Sequence, residues 1–403
     1  MKGRSIGTLV FLFWLGWAGT ALGATCPGSI VTVNLTSPSS SGTYSTPLHF
    51  QATASSSAEV SITGYAVYTN QWSDIPFAEG QPMYLNGIAT LNAWVILPLT
   101  QTGGSLAQSA FVRAWDADGN CGDSSTLSIT TSGAAIPGTF PTNDQLWTNT
   151  QDDQENSDGG NKPGWWSCGT TACAGGKNAG TASIAFDQTP ERDSNGSIEF
   201  SLVGPEASNG LFYYKVPPLG GQDTMQNFVW DFYFYLSADT STDGQAIEFD
   251  LFQAKDGYKY MMGTQCNYHP SGGGAAIWNT WDQSYNSGAG RWVPAVPNTQ
   301  TESNPAPTNA IPCSFSTGAW HHAQFYLQRT YPGTEYPQGR ILYGTVAIDG
   351  AAKQWDISAP AYASSWGDVL GFQHQLDING VPTGDVTLQE WVDPDNLTAW
   401  PQD

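Results

Sequence analysis

The sequence predicts an all-β protein. Short runs of alternating or β-branched residues recur along the chain and are broken by Gly, Ser, Asn and Pro, a pattern typical of strands joined by turns. No stretch shows sustained helical periodicity. The chain holds 17 Trp, 17 Tyr and 17 Phe, and aromatic residues make up 13% of it against 12% charged residues. Most of these rings are expected to fill the interior of packed sheets.

The N-terminus has the features of an export signal. Lys2 and Arg4 precede an apolar run from Ile6 to Gly23, which is too short and too rich in glycine for a membrane anchor. We therefore expect a signal peptide over residues 1–24 and a secreted protein, extracellular or at the cell surface. No later segment is long and apolar enough to span a bilayer, so no membrane partner is expected.

Six cysteines remain after export, and an even number in an oxidising compartment predicts disulfides. Sequence order suggests three successive pairs, which is one of fifteen possible connectivities. A zinc site would need closely spaced cysteines with histidines nearby, and the sequence has neither. The suggested pairs are Cys26 with Cys121, Cys168 with Cys173, and Cys266 with Cys313.

The charge of the chain narrows its possible partners. With 35 acidic and 13 basic residues the formal net charge is −22, which repels phosphate backbones and anionic membrane surfaces. Nucleic acid is therefore excluded as a partner. Sugars stack their apolar faces on aromatic rings and form hydrogen bonds with amides and carboxylates. The composition thus favours a polysaccharide partner, a neutral β-glycan, engaged by a monomer.

Residues 25–133 contain six or seven predicted strands over about 100 residues, which is the size of an immunoglobulin-like β-sandwich. The alternating run 111–116 is followed by Ala117-Asp118-Gly119-Asn120, a sequence of hairpin-turn type. The segment VRAWDADGN resembles the immunoglobulin-like modules of bacterial cell-surface and secreted proteins. Asp116 and Asp118 could ligate a structural calcium ion, although a turn explains them as well, and no other cofactor is expected.

A Gly-, Pro- and Thr-rich stretch over 134–143 predicts a linker. The remaining residues, 144–403, suit a two-sheet jelly roll with large loops. In the aromatic run 228–236, a period of two places Trp230, Phe232 and Phe234 on one face, which is expected to be core.

The segment 246–253 carries two carboxylates. With a period of two, Ile247, Phe249 and Leu251 face the core, while Glu248 and Asp250 project together from the opposite face. Carboxylates side by side on a strand between aromatic strands are costly unless the face is wet or functional. Adjacent like charges also raise one pKa, which can hold a proton near neutral pH.

This segment resembles the concanavalin A-like lectin and glucanase superfamily, whose retaining β-glucanases carry Glu-x-Asp-x-(x)-Glu on a central strand. The resemblance implies that Glu248 is the nucleophile and that Asp250 tunes it. Gln253 occupies the third position, where a β-bulge would return it to the carboxylate face. A carboxamide cannot act as the general acid, a role worth about 10²- to 10⁴-fold in rate. We therefore expect polysaccharide binding or degenerate catalysis.

Aromatic and imidazole side chains are expected around the same groove. Trp278, Trp281 and Trp292 belong to the long loop 271–312, and loops on a rigid sandwich commonly carry function. His269 and His374 are placed near the groove as further substrate-binding residues. Three alternatives stay open: an active retaining endo-β-glycanase, a polysaccharide lyase using Lys259 and His374, and a structural or adhesive surface protein with no ligand.

Overall fold

A computed structural model of the chain describes residues 26, 30–45, 48–69, 78–80, 83–85, 88–95, 97, 105–132, 145–153, 162–192, 196–217, 225–269, 275–285, 289–297, 299–301, 309–330, 338–378 and 384–401. The predicted signal peptide (1–24) and linker (134–143) lie outside these residues. The chain is nearly all β, with large antiparallel sheets in sandwich-like arrangements, so the predicted fold class is confirmed.

The N-terminal module pairs two sheets. One has the order β1-β3-β7-β6 and the other β2-β10-β8-β4-β5, with β9 beside β8. In β3 alternate residues are buried, from Leu48 through Phe50 to Ala54, because one face of the strand turns to the apolar interior. The strands are β1 (Val31–Ser37), β2 (Gly42–Ser45), β3 (Leu48–Ser56), β4 (Ile62–Thr69), β5 (Ala78–Gly80), β6 (Met83–Leu85), β7 (Ile88–Val95), β8 (Leu106–Asp116), β9 (Cys121–Asp123) and β10 (Leu127–Ser132).

Asp116 closes the turn after β8. Its Oδ1 accepts hydrogen bonds from the backbone N–H of Asp118 at 3.1 Å and of Asn120 at 2.9 Å, and its Oδ2 accepts one from Ser56 Oγ at 2.8 Å. These hydrogen bonds are those of an Asx-type turn. In the part of the chain that the structure describes, no group of three His, Cys, Asp or Glu side chains is arranged to hold a metal ion.

The second module consists of short helices and many strands. The elements are β11 (Gln145–Trp147), a 3₁₀ turn (Thr150–Asp152), β12 (Gly164–Cys168), α1 (Thr171–Ala174), β13 (Thr181–Gln188), β14 (Ser197–Gly204), β15 (Asn209–Lys215), β16 (Met225–Leu236), α2 (Thr240–Asp243), β17 (Gly244–Lys255), β18 (Tyr258–Asn267), β19 (Ile277–Asp282), β20 (Arg291–Pro294), β21 (Trp320–Arg329), β22 (Arg340–Ile348), β23 (Ala351–Pro360), β24 (Tyr362–Ala363), β25 (Val369–Ile378) and β26 (Val386–Pro401). Among the described segments, no helix has the length and apolarity needed to cross a membrane.

Two large sheets of this module face each other. The back sheet has the order β13-β14-β26-β16-β21-β22-β23, and the front sheet has the order β12-β15-β25-β17-β18-β19-β20. Between them lies one apolar cluster, in which Trp230 and Phe232 of the back sheet contact Phe249 of the front sheet. The aromatic face of β16 is therefore core, as its alternation predicts.

The N-terminal module packs against the outer face of the back sheet. Val229, Tyr326, Leu342 and Trp400 point away from the inter-sheet core and join the apolar cluster of the N-terminal module. This contact leaves the outer face of the front sheet on the far side of the sandwich, where the chain has its groove.

Three disulfides join Cys26 to Cys121, Cys168 to Cys173, and Cys266 to Cys313. The pairing suggested by sequence order is therefore confirmed, and the zinc alternative is wrong because all six thiols are in disulfides. Disulfides persist in oxidising compartments, which agrees with an extracellular location.

We expect loss of the Cys26–Cys121 bond to lower the melting temperature of the N-terminal module strongly. The two residues are 95 apart in sequence, and the chain-entropy estimate for such a loop is about 4 to 5 kcal/mol. Calorimetry of a Cys26→Ser/Cys121→Ser double variant measures the loss. The control is a Cys168→Ser/Cys173→Ser variant. The disulfide that it lacks closes a loop of only 5 residues, so its free energy of unfolding should fall by about 2 kcal/mol. Equal losses in the two variants would contradict the estimate.

Candidate functional site

The outer face of the front sheet carries a groove with a volume of about 580 Å³. Strand β17 crosses its floor. The register of β17 with β18 is continuous from Ala246 to Lys255, so alternation along the strand is regular. Glu248 and Asp250 consequently lie side by side in the groove, while Ile247, Phe249 and Leu251 face the core.

A third carboxyl, that of Asp377 on β25, lies in the same floor. Asp377 Oδ1 accepts a hydrogen bond from Gln375 Nε2 at 3.0 Å. Sequence reasoning missed Asp377. The signal was the alternation of Gln373, Gln375 and Asp377 with apolar or core residues, which places all three on one face.

Side-chain amides from neighbouring strands hold the carboxyls. Gln265 Nε2 donates to Glu248 Oε1 at 2.6 Å, and Asn279 Nδ2 donates to Gln265 Oε1 at 2.9 Å. Gln373 Nε2 donates to Asp250 Oδ2 at 2.7 Å. The contacts follow from the register, since Glu248 is directly opposite Gln265 and Asp250 is directly opposite Gln373. The floor is thus built from carboxyls and amides of four strands, held by two sets of hydrogen bonds.

Burial raises the pKa of the groove carboxyls. The pKa of Glu248 lies well above its usual range because the group is buried and because Asp377 and Asp250 add negative charge. Burial raises the pKa of Asp250 to about 8, although hydrogen bonds from Thr264 and Gln373 oppose the shift. Burial also raises the pKa of Asp377. The raised pKa values of Glu248 and Asp250 favour the protonated forms of these two carboxyls near neutral pH.

Two tryptophans form one wall of the groove. Trp281 on β19 is directly opposite Trp292 on β20, and their ring centroids are 5.0 Å apart in a T-shaped arrangement. Both approach Asp250 across Gly263. A Cβ at Gly263 would lie 3.0 Å from atoms of both tryptophans and 3.1 Å from Asp250 Oδ1. The missing side chain at this position lets the rings pack beside the carboxyl.

Trp366 and Lys259 line a further part of the groove. Trp366 follows β24 and is 48% exposed, and Lys259 Nζ lies 3.8 Å from the centroid of its ring, a cation–π distance. Burial lowers the pKa of Lys259 to about 8, and the charge of Asp250 opposes this shift. Trp366 could not be predicted as a groove residue, because a lone tryptophan in a Ser- and Ala-rich loop carries no pattern.

Gln253 lies on the other side of the sheet, which corrects the expected position. No bulge interrupts β17 between Asp250 and Gln253, so the odd-numbered residue faces the core. Its Nε2 donates to the carbonyl oxygen of Met225 at 3.2 Å, and its Oε1 accepts a hydrogen bond from Arg329. Gln253 therefore has no contact with the groove.

Three other predicted site residues also lie outside the groove. Trp278 is buried in the core, with its ring centroid 5.5 Å from that of Trp355. His374 is fully buried between the sheets. It lies between Gln373 and Gln375 on β25, and because these two glutamines face the groove, His374 faces the core. His269 is exposed beyond the end of β18 and is not among the groove-lining residues. Of the predicted residues, the structure brings together Glu248, Asp250, Trp281 and Trp292.

The position of Gln253 predicts that Gln253→Glu adds no glycanase activity to that of the unmodified protein. The new carboxyl would lie beside Arg329 on the core side of β17 and could not reach a ligand in the groove. Release of reducing ends from soluble β-glucans should equal that of the unmodified protein. A gain of about 10²-fold, as general acid catalysis would supply, would contradict this placement.

Comparisons with known proteins find weak structural similarity. No family model matches the chain, and no curated protein matches it. An endo-β-1,4-glucuronan lyase from the fungus Trichoderma reesei is 12% identical over 58% of this chain and 94% of its own, with a TM-score of 0.32. Arcelin-5, a lectin-like defence protein from Phaseolus vulgaris, is 10% identical over 64% of this chain and 99% of its own, with a TM-score of 0.29. A carbohydrate-binding module of the β-sandwich superfamily is 9% identical over 90% of this chain and 98% of its own, with a TM-score of 0.24. Similarity at this level assigns no function to the chain.

Proposed function

We propose that the chain is a carbohydrate-binding protein that holds a segment of a neutral β-glycan in the front-sheet groove. The observation that carries the proposal is a floor of carboxyls and amides bordered by Trp281, Trp292 and Trp366. Sugar hydroxyls both donate and accept hydrogen bonds, which suits this floor, and the apolar faces of sugar rings stack on indoles. The net charge of −22 disfavours a polyanionic ligand.

The protonation state of Glu248 favours binding over hydrolysis with Glu248 as nucleophile. Burial and the negative charges of Asp377 and Asp250 raise the pKa of Glu248 well above its usual range. The raised pKa favours the protonated form, whereas a nucleophile must be ionised.

A second candidate is glycan hydrolysis with Glu248 as the proton donor. The raised pKa of Glu248 favours it, because a general acid must be protonated near the working pH. Glu248→Gln should then abolish hydrolysis. The lyase alternative has less support, since His374 is in the core and only Lys259 of that pair lines the groove.

We also infer that the N-terminal module is immunoglobulin-like and serves as a spacer or adhesion unit. Its sheets β1-β3-β7-β6 and β2-β10-β8-β4-β5 have the connectivity of an ABED sheet opposite a sheet containing G, F and C. Its contact with the back sheet leaves the groove open.

Binding to a panel of soluble neutral β-glycans tests the proposal. Trp292→Ala and Trp366→Ala should each weaken binding by about 5- to 30-fold, the effect of losing about 1 to 2 kcal/mol of ring contact. Trp320→Ala is the matched control, since Trp320 is half-buried on the outer face of the back sheet and its loss should leave affinity unchanged. Failure to bind any glycan, or equal losses in all three variants, would reject the groove as a glycan site. Release of reducing ends in the same assay separates the two candidates.

A further inference from the structure

Lys259 lies against the most exposed of the three tryptophans that line the groove. Trp366 is 48% exposed, whereas Trp281 and Trp292 are half-buried. Lys259 lies over the Trp366 ring, with its Nζ 3.8 Å from the ring centroid. We propose that Lys259 is a positioning residue for the glycan, whose ammonium group holds the Trp366 indole in the orientation that stacks on a sugar ring. The inference rests on the proposed function and assigns a further residue to the same site.

Backbone and ionic contacts fix the segment that carries Trp366. The backbone N–H of Ser364 donates to the carbonyl oxygen of Gly257 at 2.7 Å, and Lys255 Nζ pairs with Asp368 at 3.1 Å. The two contacts lie on either side of Trp366 in sequence, and both lead to the end of β17 and the turn after it. A tryptophan side chain keeps two rotatable χ angles when its backbone is fixed. The orientation of the indole therefore depends on contacts of the ring itself.

Phe252 and Lys259 make such contacts. The ring centroids of Phe252 and Trp366 are 5.7 Å apart in a T-shaped arrangement. Phe252 is itself buried and stacks on Tyr213 with a centroid distance of 5.0 Å, so it offers the indole a fixed surface. The Nζ of Lys259 is 5.9 Å from the centroid of Phe252. The ammonium group thus lies close to both rings and restricts the movement of the exposed one.

Lys259 acts on the ring while its amine is charged, because the ring quadrupole attracts a cation. Burial lowers the pKa of Lys259 to about 8, and the charge of Asp250 on β17 opposes this shift. The charged groups of the neighbouring turn and loop interact with one another, since Lys255 pairs with Asp368 at 3.1 Å and with Asp256 at 3.3 Å. At about pH 6 the amine of Lys259 is therefore charged and directed at Trp366.

A fixed indole binds a sugar more tightly than a mobile one, because the side chain has less freedom to lose when the ligand binds. Removal of the charge at Lys259 should therefore weaken binding by about 2- to 10-fold, the effect of ordering one side chain. Since Lys259 acts through Trp366, the loss cannot exceed that of Trp366→Ala. It should also disappear when Trp366 is absent.

Calorimetric titration at about pH 6 tests this role with laminarihexaose and cellohexaose, which are neutral β-1,3- and β-1,4-glucan oligosaccharides. Lys259→Gln should raise Kd by about 2- to 10-fold. Lys259→Arg should recover most of the affinity, since a guanidinium also stacks on aromatic rings. Added to Trp366→Ala, Lys259→Gln should have no further effect. Lys353→Gln is the matched control, because it makes the same charge change at an exposed position on β23 of the back sheet.

Fluorine NMR of the protein labelled with fluorotryptophan reports the position of the ring without a ligand. The resonance of Trp366 is the one that is missing from the spectrum of Trp366→Phe. In Lys259→Gln this resonance should move and change its line shape, because the indole then exchanges between several orientations. In Lys259→Arg it should stay close to its original position and shape.

The outcomes separate this inference from the proposed function. An unchanged line shape of the Trp366 resonance in Lys259→Gln, or an unchanged Kd, would overturn the inference and leave glycan binding intact. A further loss of affinity when Lys259→Gln is added to Trp366→Ala would also overturn it, since Lys259 would then contact the ligand itself. If the unmodified protein binds neither oligosaccharide, both the inference and the proposed function fail.

Discussion

Asp356→Asn is expected to increase the stability of the protein relative to the unmodified protein by several kcal/mol more near pH 8 than near pH 4. Asp356 is fully buried on β23, and burial raises its pKa to about 8 from an ordinary value of 3.8. One pKa unit corresponds to about 1.4 kcal/mol, so the effect is on the order of 5 kcal/mol at most.

The sign follows from linkage. Because the pKa in the folded state exceeds that in the unfolded state, Asp356 contributes its full stability below about pH 4, where it is protonated in both states. That contribution is lost as pH rises towards about 8. Asparagine has the shape of the protonated acid and does not titrate, so the variant keeps the contribution at alkaline pH.

One oxygen of Asp356 and its backbone suit asparagine, whereas Oδ2 has no hydrogen-bond partner among the residues that the structure describes, so the N–H groups of the carboxamide carry a cost that does not vary with pH. Asp356 Oδ1 accepts a hydrogen bond from Gln354 Nε2 at 2.6 Å, which a carboxamide oxygen can also accept. The backbone of Asp356 has a φ of 48°, in the left-handed region that asparagine tolerates well.

Urea unfolding of both proteins near pH 4, 6 and 8 measures the effect. Asp187→Asn is the matched control, because Asp187 also has a positive φ, of 57°, but is exposed. It should show no difference that grows with pH. A stability gain for Asp356→Asn of the same size at all three pH values would contradict the role of ionisation.

Sequence periodicity predicted which face a residue occupies only where a neighbouring residue defined the core face. On β17 the apolar residues Ile247, Phe249 and Leu251 did so, and Glu248 and Asp250 are in the groove as expected. The position of Gln253 depended on whether the strand contains a bulge, which its pairing with β18 and β25 decides. A single strand does not contain that information.

The residues that join Glu248 and Asp250 in the groove could not be predicted from the sequence for a related reason. Asp377 is 129 residues after Glu248, and both line the groove because β25 lies beside β17 in the front sheet. The prediction that Trp278 lines the groove was wrong because Trp278 and Trp281, three residues apart on one strand, occupy opposite faces of the sheet. The cysteine pairs were predictable because each joins neighbours in sequence order.

His374 is the predicted site residue whose placement has the largest energetic consequence. It belongs to the front sheet, and its Nδ1 lies 3.0 Å from Glu390 Oε1 of the back sheet. Its Nε2 lies 4.0 Å from Asp395 Oδ2, and Trp230 Nε1 donates to the other oxygen of Asp395 at 2.7 Å. All four side chains are buried. A polar connection thus joins the two sheets through an aromatic core.

We expect His374→Leu to lower the free energy of unfolding by about 3 to 5 kcal/mol, because it leaves the buried Glu390 without this partner. Glu390→Leu should be costly for the same reason. In the double variant His374→Leu/Glu390→Leu, the fall in the free energy of unfolding should be about 1 to 3 kcal/mol smaller than the sum of the two single falls. The reason is that neither member of the His374–Glu390 pair is left buried without the other. Urea unfolding of the four proteins at one pH measures this coupling.

A surface pair provides the matched control for the same cycle. His322 Nε2 lies 2.8 Å from Asp231 Oδ1, a contact as short as that in the core, but both side chains are partly exposed. Water can replace either partner there, so His322→Leu and Asp231→Leu should show a coupling of only about 0 to 1 kcal/mol. If the core and surface cycles give the same coupling, burial does not govern the strength of the His374–Glu390 contact. If the core coupling is larger, the contact is a polar fastening between the sheets, directly behind the strand that presents Gln373, Gln375 and Asp377 to the groove.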